Sequence, residues 1–493
     1  MTTDALSARV RALLDRARRE VSDPAARETL DATLRRLDEP MRVAIAGRVK
    51  AGKSTLLNAL VGEELAPTDA GECTRIVTWY RDGPTYQVVV HPLEGEPTPR
   101  PFERVSGAIQ VNLGIPAARV DHLTVELPSR RLREHTLIDT PGLDSLSSEV
   151  SARTLAFLET DGDGPARADA VIYLLGHSQA NDVGHLTSFR AVNAVGVLSR
   201  ADEVGGAQVD AMEQAALVAA GYAADERLRQ VCPVVVPVAG LVAAASATLR
   251  EDEYRCLVAI AGAPAEVAAG LVLTADRFVA AHAALPRTED LRRRVLDRLG
   301  LFGVRLGLRL IADGAVRTAD EFARQLGARS GINRLSDLLQ TQFVQRSRVL
   351  KAHSALAALD GVLRGGGLAG GGGLAAEAEA IRAGAHEFVE VRTLHLLRSG
   401  RVAGTPAQVS EMDRLLGGSG AAVAARLGQP SGAPPAALTS AAADALARWQ
   451  RVAEHPLSGG DLRRAARATA RTCEGILAAL GQPGGAVPQV PRT

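Results

Sequence analysis

MRVAIAGRVKAGKSTLLNALV, residues 41–61, holds the reading on which the fold turns. Residues 41–46 form an apolar run of strand character, and residues 53–61 continue with helical spacing. Between them, Gly47-Arg48-Val49-Lys50-Ala51-Gly52-Lys53-Ser54 matches GxxxxGK[ST]. A strand before and a helix after are the context that makes this pattern a phosphate-binding loop. Glycines let successive backbone N–H groups wrap an anion, and the helix N-terminus adds positive potential. Lys53 is expected to reach the β- and γ-phosphates, and Ser54 to ligate Mg²⁺. Gly47, Arg48, Val49, Lys50, Ala51, Gly52 and Thr55 complete the expected cradle.

Later motifs fall in the order such a loop demands. Leu137-Ile138-Asp139-Thr140-Pro141-Gly142 closes a strand, where Asp139 would hold Mg²⁺ through water and the Gly142 N–H would face the γ-phosphate. Alone, DTPG is a common turn; its place after the loop gives it weight. Ser199-Arg200-Ala201-Asp202 ends another strand, where GTP-binding proteins carry [NT]KxD. Asp202 would accept hydrogen bonds from guanine N1 and N2, and adenine has no matching donors. Arg200 replaces the usual lysine, and its stem and planar head can lie over a base. Val238, Ala239 and Gly240, at the next strand end, are candidates for the base edge. A switch threonine is needed between residues 66 and 76, and Thr74, just before a strand, is preferred to Thr68. Leu143 stands where small GTPases carry a water-orienting glutamine. Lys50 is then either a solvated loop lysine or a built-in cation for transition-state charge. The expected catalytic residues are Lys50 and Thr74; the expected metal ligands are Ser54, Thr74 and Asp139.

Outward from these motifs, strand and helix alternate. Strands are expected at 76–80, 87–91, 123–127, 136–139, 170–175, 194–199 and 234–238. Several are apolar on both faces, as buried parallel strands are, so an α/β domain with a mainly parallel sheet is expected over 39–285. Residues 286–482 read as an α-helical bundle, joined by two helices within 1–38, the second starting at Asp23-Pro24. Residues 483–493 read as a disordered tail. A chain of 493 residues exceeds one core, in keeping with this division. The formal net charge of +1 gives no electrostatic case for nucleic acid. Cys73, Cys232, Cys256 and Cys473 are scattered and read as reduced thiols. The N-terminus lacks the apolar core of a signal peptide. The apolar run 231–247 is broken by Pro233, Pro237 and Gly240, so no bilayer span is expected. Lys50, Lys53 and Lys351 are the only lysines in the chain.

GRVKAGKST, APTDAGECTRIVTW, DTPG and LSRADEVG, followed by VVPVAGL, resemble the motifs of bacterial dynamin-like GTPases, and in particular the mycobacterial isoniazid-inducible dynamin-like proteins. LFGVRL, Ser330-Gly-Ile, QFVQRSRVLKAHSAL and GGSGAAVAARLG carry the likeness over nearly the whole chain. The resemblance implies a GTPase domain on a helical neck and trunk, with GTP as substrate and Mg²⁺ as cofactor. It further implies homo-oligomers formed through the GTPase domains, a second dynamin-like protein as partner, and peripheral contact with lipid on the inner face of the cell membrane. By the same likeness residues 47–54, Thr74, 139–142 and 200–202 take the nucleotide roles.

Two other readings stand beside this one. A regulatory or assembly GTPase, for example in ribosome maturation, usually appends a basic RNA-binding module, which this charge balance does not offer. A low-turnover nucleotide-binding partner of another dynamin-like protein is kept open by the missing glutamine. For lipid contact, residues 364–374 join two helical stretches and read as a hairpin tip, with a plain linker as the alternative. The amphipathic stretch 299–311, carrying Arg305 and Arg309, is a further candidate.

Overall fold

Met41–Gly47 forms β1, whose side chains are almost all buried because parallel neighbours flank it on both sides. The computed structural model describes residues 3–65, 76–105, 108–141, 168–176, 194–280, 289–365 and 372–481. After β1 come β2 (Thr78–Asp82), β3 (Gln87–Pro92), β4 (Thr98–Arg100), β5 (Phe102–Val105), β6 (Ala108–Val111), β7 (Val120–Leu127), β8 (His135–Asp139), β9 (Ala170–Leu175), β10 (Ala194–Leu198) and β11 (Val235–Pro237). Nine of these form one sheet in the order β11-β10-β9-β1-β8-β2-β7-β3-β4, while β5 and β6 pair separately. From β11 to β8 every pairing is parallel, as is β2 with β7; the pairings β2 with β8, β3 with β7 and β3 with β4 are antiparallel. The register sets Ile45 beside Asp139, Gly47 beside Leu174, and Leu198 beside both Leu175 and Pro237. The carboxyl ends of the five parallel strands are thus brought to one edge, where open α/β sheets bind ligands.

Among the described residues, the chain divides into a unit spanning 40–338 and a unit made of 3–39 with 339–481. The sequence reading placed the start of the helical bundle at 286. The boundary comes later, at Leu339, because the helix Glu289–Ala312 spends its apolar face on the sheet-bearing unit. There Leu299, Phe302, Val304, Leu306 and Leu310 pack with Leu257, Ile260, Phe278 and Phe322. The stretch 299–311 is therefore core and not a lipid contact. Arg305 donates to the carbonyls of Gly206, Ala207, Val272 and Leu273, which accounts for its place in that face.

Helices are the only regular secondary structure among the described residues of the second unit. Asp23 caps the helix Pro24–Asp38, its carboxylate accepting from Ala26 N at 3.1 Å. That helix and Thr3–Glu20 pack on Ser347–Arg364 and Gly372–Gly384, burying Leu6, Val10, Leu13, Leu14, Leu30, Leu356, Leu359 and Ile381. Lys351 is buried among them and donates to the carbonyls of Leu37 and Glu39, closing the C-terminal end of Pro24–Asp38. Leu374 belongs to the same core, only 2% exposed. It cannot be an apolar contact for lipid, and residues 366–371 lie outside the described residues, as do 483–493. A second core in this unit gathers Leu394, Met412, Leu415, Trp449 and Cys473.

Candidate nucleotide-binding site

β1 ends at Gly47 and the helix Lys53–Val61 starts after Gly52. Both glycines hold backbone conformations that side chains rarely adopt, at φ +152 and +90. At Gly47 a Cβ would also lie 3.0 Å from the Leu174 Cβ, whereas one at Gly52 would meet nothing within 4 Å. The first glycine lets β9 approach closely; the second leaves space before the helix N-terminus. Lys53 Nζ rests over the loop, donating to the carbonyls of Gly47 at 3.2 Å and Arg48 at 2.9 Å. Burial holds its pKa below the ordinary lysine value, against the opposing charge of Asp139.

Asp139 stands at the end of β8, and Ser54 Oγ donates to its Oδ2 at 3.3 Å. Thr140 Oγ1 donates to the Ile45 carbonyl at 2.8 Å and fixes the strand end. Asp139 Oδ1 is buried and has no hydrogen-bond partner among the described residues. Burial pushes the Asp139 pKa up to about 6, with Lys53 and Ser54 opposing. A hydroxyl beside a carboxylate with an unmatched buried oxygen is a hard donor set that fits Mg²⁺. Thr74, the alternative Thr68, and Gly142 lie outside the described residues.

Beside the loop opens a pocket of about 190 Å³, lined by Gly52, Thr55, Ser199, Arg200, Asp202 and Gly240 among others. Its far wall is built by backbone. Ser199 N and Oγ donate to the Leu175 carbonyl, Val238 N to Leu198 O at 3.0 Å, and Ala201 N to Val238 O at 3.4 Å. Asp202 is buried at that wall, and burial pushes its pKa up to about 6. Lys50 and Arg200 are two of three non-glycine residues with positive φ among the described residues, at +61 and +51. They are joined: Arg200 Nη2 donates to the Lys50 carbonyl at 3.0 Å, linking phosphate loop to pocket. Such backbone outliers cluster at functional sites. Lys50 is exposed, and so is Val49.

The three base-edge candidates separate here. Val238 and Gly240 line the pocket, whereas the Ala239 N–H is spent on the Ser330 carbonyl at 2.9 Å. Two glycines near this wall were given no role in the site by the sequence reading. Gly300 breaks the helix Glu289–Ala312 at φ +65, ψ 174, a conformation essentially reserved for glycine, and a Cβ there would lie 3.5 Å from Asp202 Oδ2. Gly331, at φ +82, abuts Pro237. Their only sequence signal is a glycine within a helical run.

Residues 43–174 match the family model described as the dynamin family. The isoniazid-induced protein IniC of Mycobacterium tuberculosis is 39% identical over 462 residues, covering 91% of this chain and 92% of that protein. A bacterial dynamin-like protein of Nostoc punctiforme is 32% identical over 116 residues, 21% of this chain and 17% of that one. Among solved structures, one from an oligomerised bacterial dynamin pair aligns over 98% of this chain and 76% of that chain, at 14% identity. Its TM-score is 0.34, too low for any arrangement to be carried over.

Proposed function

The chain belongs to the dynamin family, and from that premise we propose that it binds GTP with Mg²⁺ at residues 47–55, hydrolyses it, and acts as a mechanochemical protein on the inner face of the cell membrane. One observation carries the nucleotide reading. The buried Asp139 carboxylate lies 3.3 Å from the Ser54 hydroxyl and keeps an unmatched oxygen, directly beside Lys53 and a glycine-lined helix N-terminus.

The roles divide by chemistry. Backbone from Gly47 to Gly52 and the Lys53 ammonium take the β- and γ-phosphates, and the amide of Gly142 faces the γ-phosphate. Ser54, Thr74 and Asp139 would hold Mg²⁺, which would neutralise charge on the phosphate oxygens. Asp202 accepts from guanine N1 and N2, Arg200 covers the ring, and Val238 and Gly240 meet the base edge. Thr74 orients the attacking water, and Lys50 supplies a built-in cation for transition-state charge. The chain works as a homo-oligomer through its GTPase units, with a second dynamin-like protein as partner. No helix among the described residues is long and apolar enough to cross a membrane.

Steady-state GTP turnover and equilibrium nucleotide binding test this division. Lys53→Ala loses GTP binding. Thr74→Ala and Lys50→Ala keep GTP affinity within a few-fold and lose turnover by about tenfold or more. Anionic liposomes raise the wild-type rate. Wild-type turnover in the Thr74 and Lys50 variants, or a rate indifferent to liposomes, contradicts the catalytic or the membrane assignment respectively.

A further inference from the structure

Behind the pocket wall, the helices Ala319–Arg329 and Ile332–Leu338 meet at a tight corner, Ser330–Gly331. We propose that this corner is a positioning element for guanine recognition, holding the Pro237–Gly240 edge so that the base seats against Asp202. The inference rests on the guanine reading of Asp202 and deepens it.

Three contacts carry it. Gly331, at φ +82, lies so close to Pro237 that a Cβ would fall 2.1 Å from the Pro237 carbonyl oxygen. No side chain is tolerated there without moving β11. The Ala239 N–H donates to the Ser330 carbonyl at 2.9 Å, fixing the next turn of the same edge. The corner is itself locked, since Ser330 Oγ donates to the Gly327 carbonyl at 2.9 Å and accepts from Ile332 N at 3.3 Å. The edge so fixed is joined to the base-reading loop, because Val238 accepts from Ala201 N, one residue before Asp202. Two backbone hydrogen bonds thus lead from Ser330 to the residue that chooses the base. A binding constellation tolerates displacements of only about 0.5 Å. Displacing the edge therefore weakens the choice of base.

The test compares affinities of full-length protein for GDP and inosine diphosphate, which lacks the 2-amino group, with ADP as control. Gly331→Ala forces the Pro237 edge to move. Gly314→Ala imposes a similar backbone penalty at φ +66 but has no neighbour within 4 Å, so it strains the same unit without pushing the pocket. Wild type favours GDP over inosine diphosphate by about tenfold or more, since a hydrogen bond to a charged group is lost. Gly331→Ala lowers GDP affinity by about tenfold and brings that preference toward unity; Gly314→Ala keeps both at wild-type values. Where Gly331→Ala does not fold at the assay temperature, Ala239→Pro, which removes the N–H bound to Ser330, is read by the same ratio. A folded Gly331→Ala or Ala239→Pro protein with the wild-type preference overturns the positioning role. Equal wild-type affinity for GDP, inosine diphosphate and ADP overturns instead the reading of Asp202 beneath it.

Discussion

Asp139 and Asp202 are carboxyls in places that disfavour charge. Each has its pKa raised from 3.8 to about 6, chiefly by burial. Between those values the folded protein holds protons that the unfolded chain releases, so the stability they lend at low pH is lost as pH rises through about 6. In the proposed function, ligands that demand the ionised forms, a divalent cation at Asp139 and guanine at Asp202, would offset that loss. Because Asp139 titrates in the same range, the role of Asp202 is read from the difference between wild type and Asp202→Asn in the pH profile of GDP binding measured in EDTA. Wild-type affinity is flat above pH 7 and falls about tenfold per unit well below pH 6, as a proton competes for the carboxylate. Asp202→Asn reduces that dependence and shifts preference toward xanthine nucleotides. A wild-type profile that stays flat from pH 7.5 to 5 contradicts the assignment. At this scale most of the site was legible, because Gly47, Lys53, Ser54, Asp139 and Asp202 are side-chain or glycine signals at fixed spacing. The commitment of the Ala239 N–H to Ser330 was not. A backbone-to-backbone bond between distant segments leaves no residue type to read.

Elements were legible where their apolar pattern was strong. The seven strands expected after β1 all exist, with ends displaced by a few residues. β4, β5 and β6 were missed; they are three or four residues long, and the sequences TPR, FERV and AIQV carry no sustained alternation. The helix Glu289–Ala312 shows a different limit. Its amphipathic spacing says that one face is buried but not against which partner, and that partner turns out to be the sheet-bearing unit. Leu374 shows the same limit in the helical unit, where Leu356, Leu359 and Ile381 share its core. Leu374→Ala there should cost about 2–5 kcal/mol of that unit's stability. Thermal unfolding reads this as a lowered transition with GDP affinity unchanged. An unchanged transition would mean that Leu374 is not packed.

For the whole molecule, the sheet-bearing unit is inserted in the chain between the two stretches of the helical unit. Residues 40–338 carry every described residue assigned to nucleotide, and 3–39 with 339–481 carry none. The parallel strands set Gly47 and Asp139 at the ends of the adjacent β1 and β8, and Ser199 at the end of β10, beyond β9 on the same sheet edge. The proposed phosphate loop, metal ligands and base pocket therefore come from separate stretches of sequence but from one sheet edge. Guanine selectivity and metal dependence are the two properties that the proposed function draws from this convergence, and neither follows from the loop alone. Phosphate release by the purified chain, from GTP and from ATP, each with Mg²⁺ and with EDTA, measures both at once. Release from GTP with Mg²⁺, and negligible release in the other three conditions, is the result expected. Equal release from ATP and GTP, or release from GTP that persists in EDTA, would contradict it.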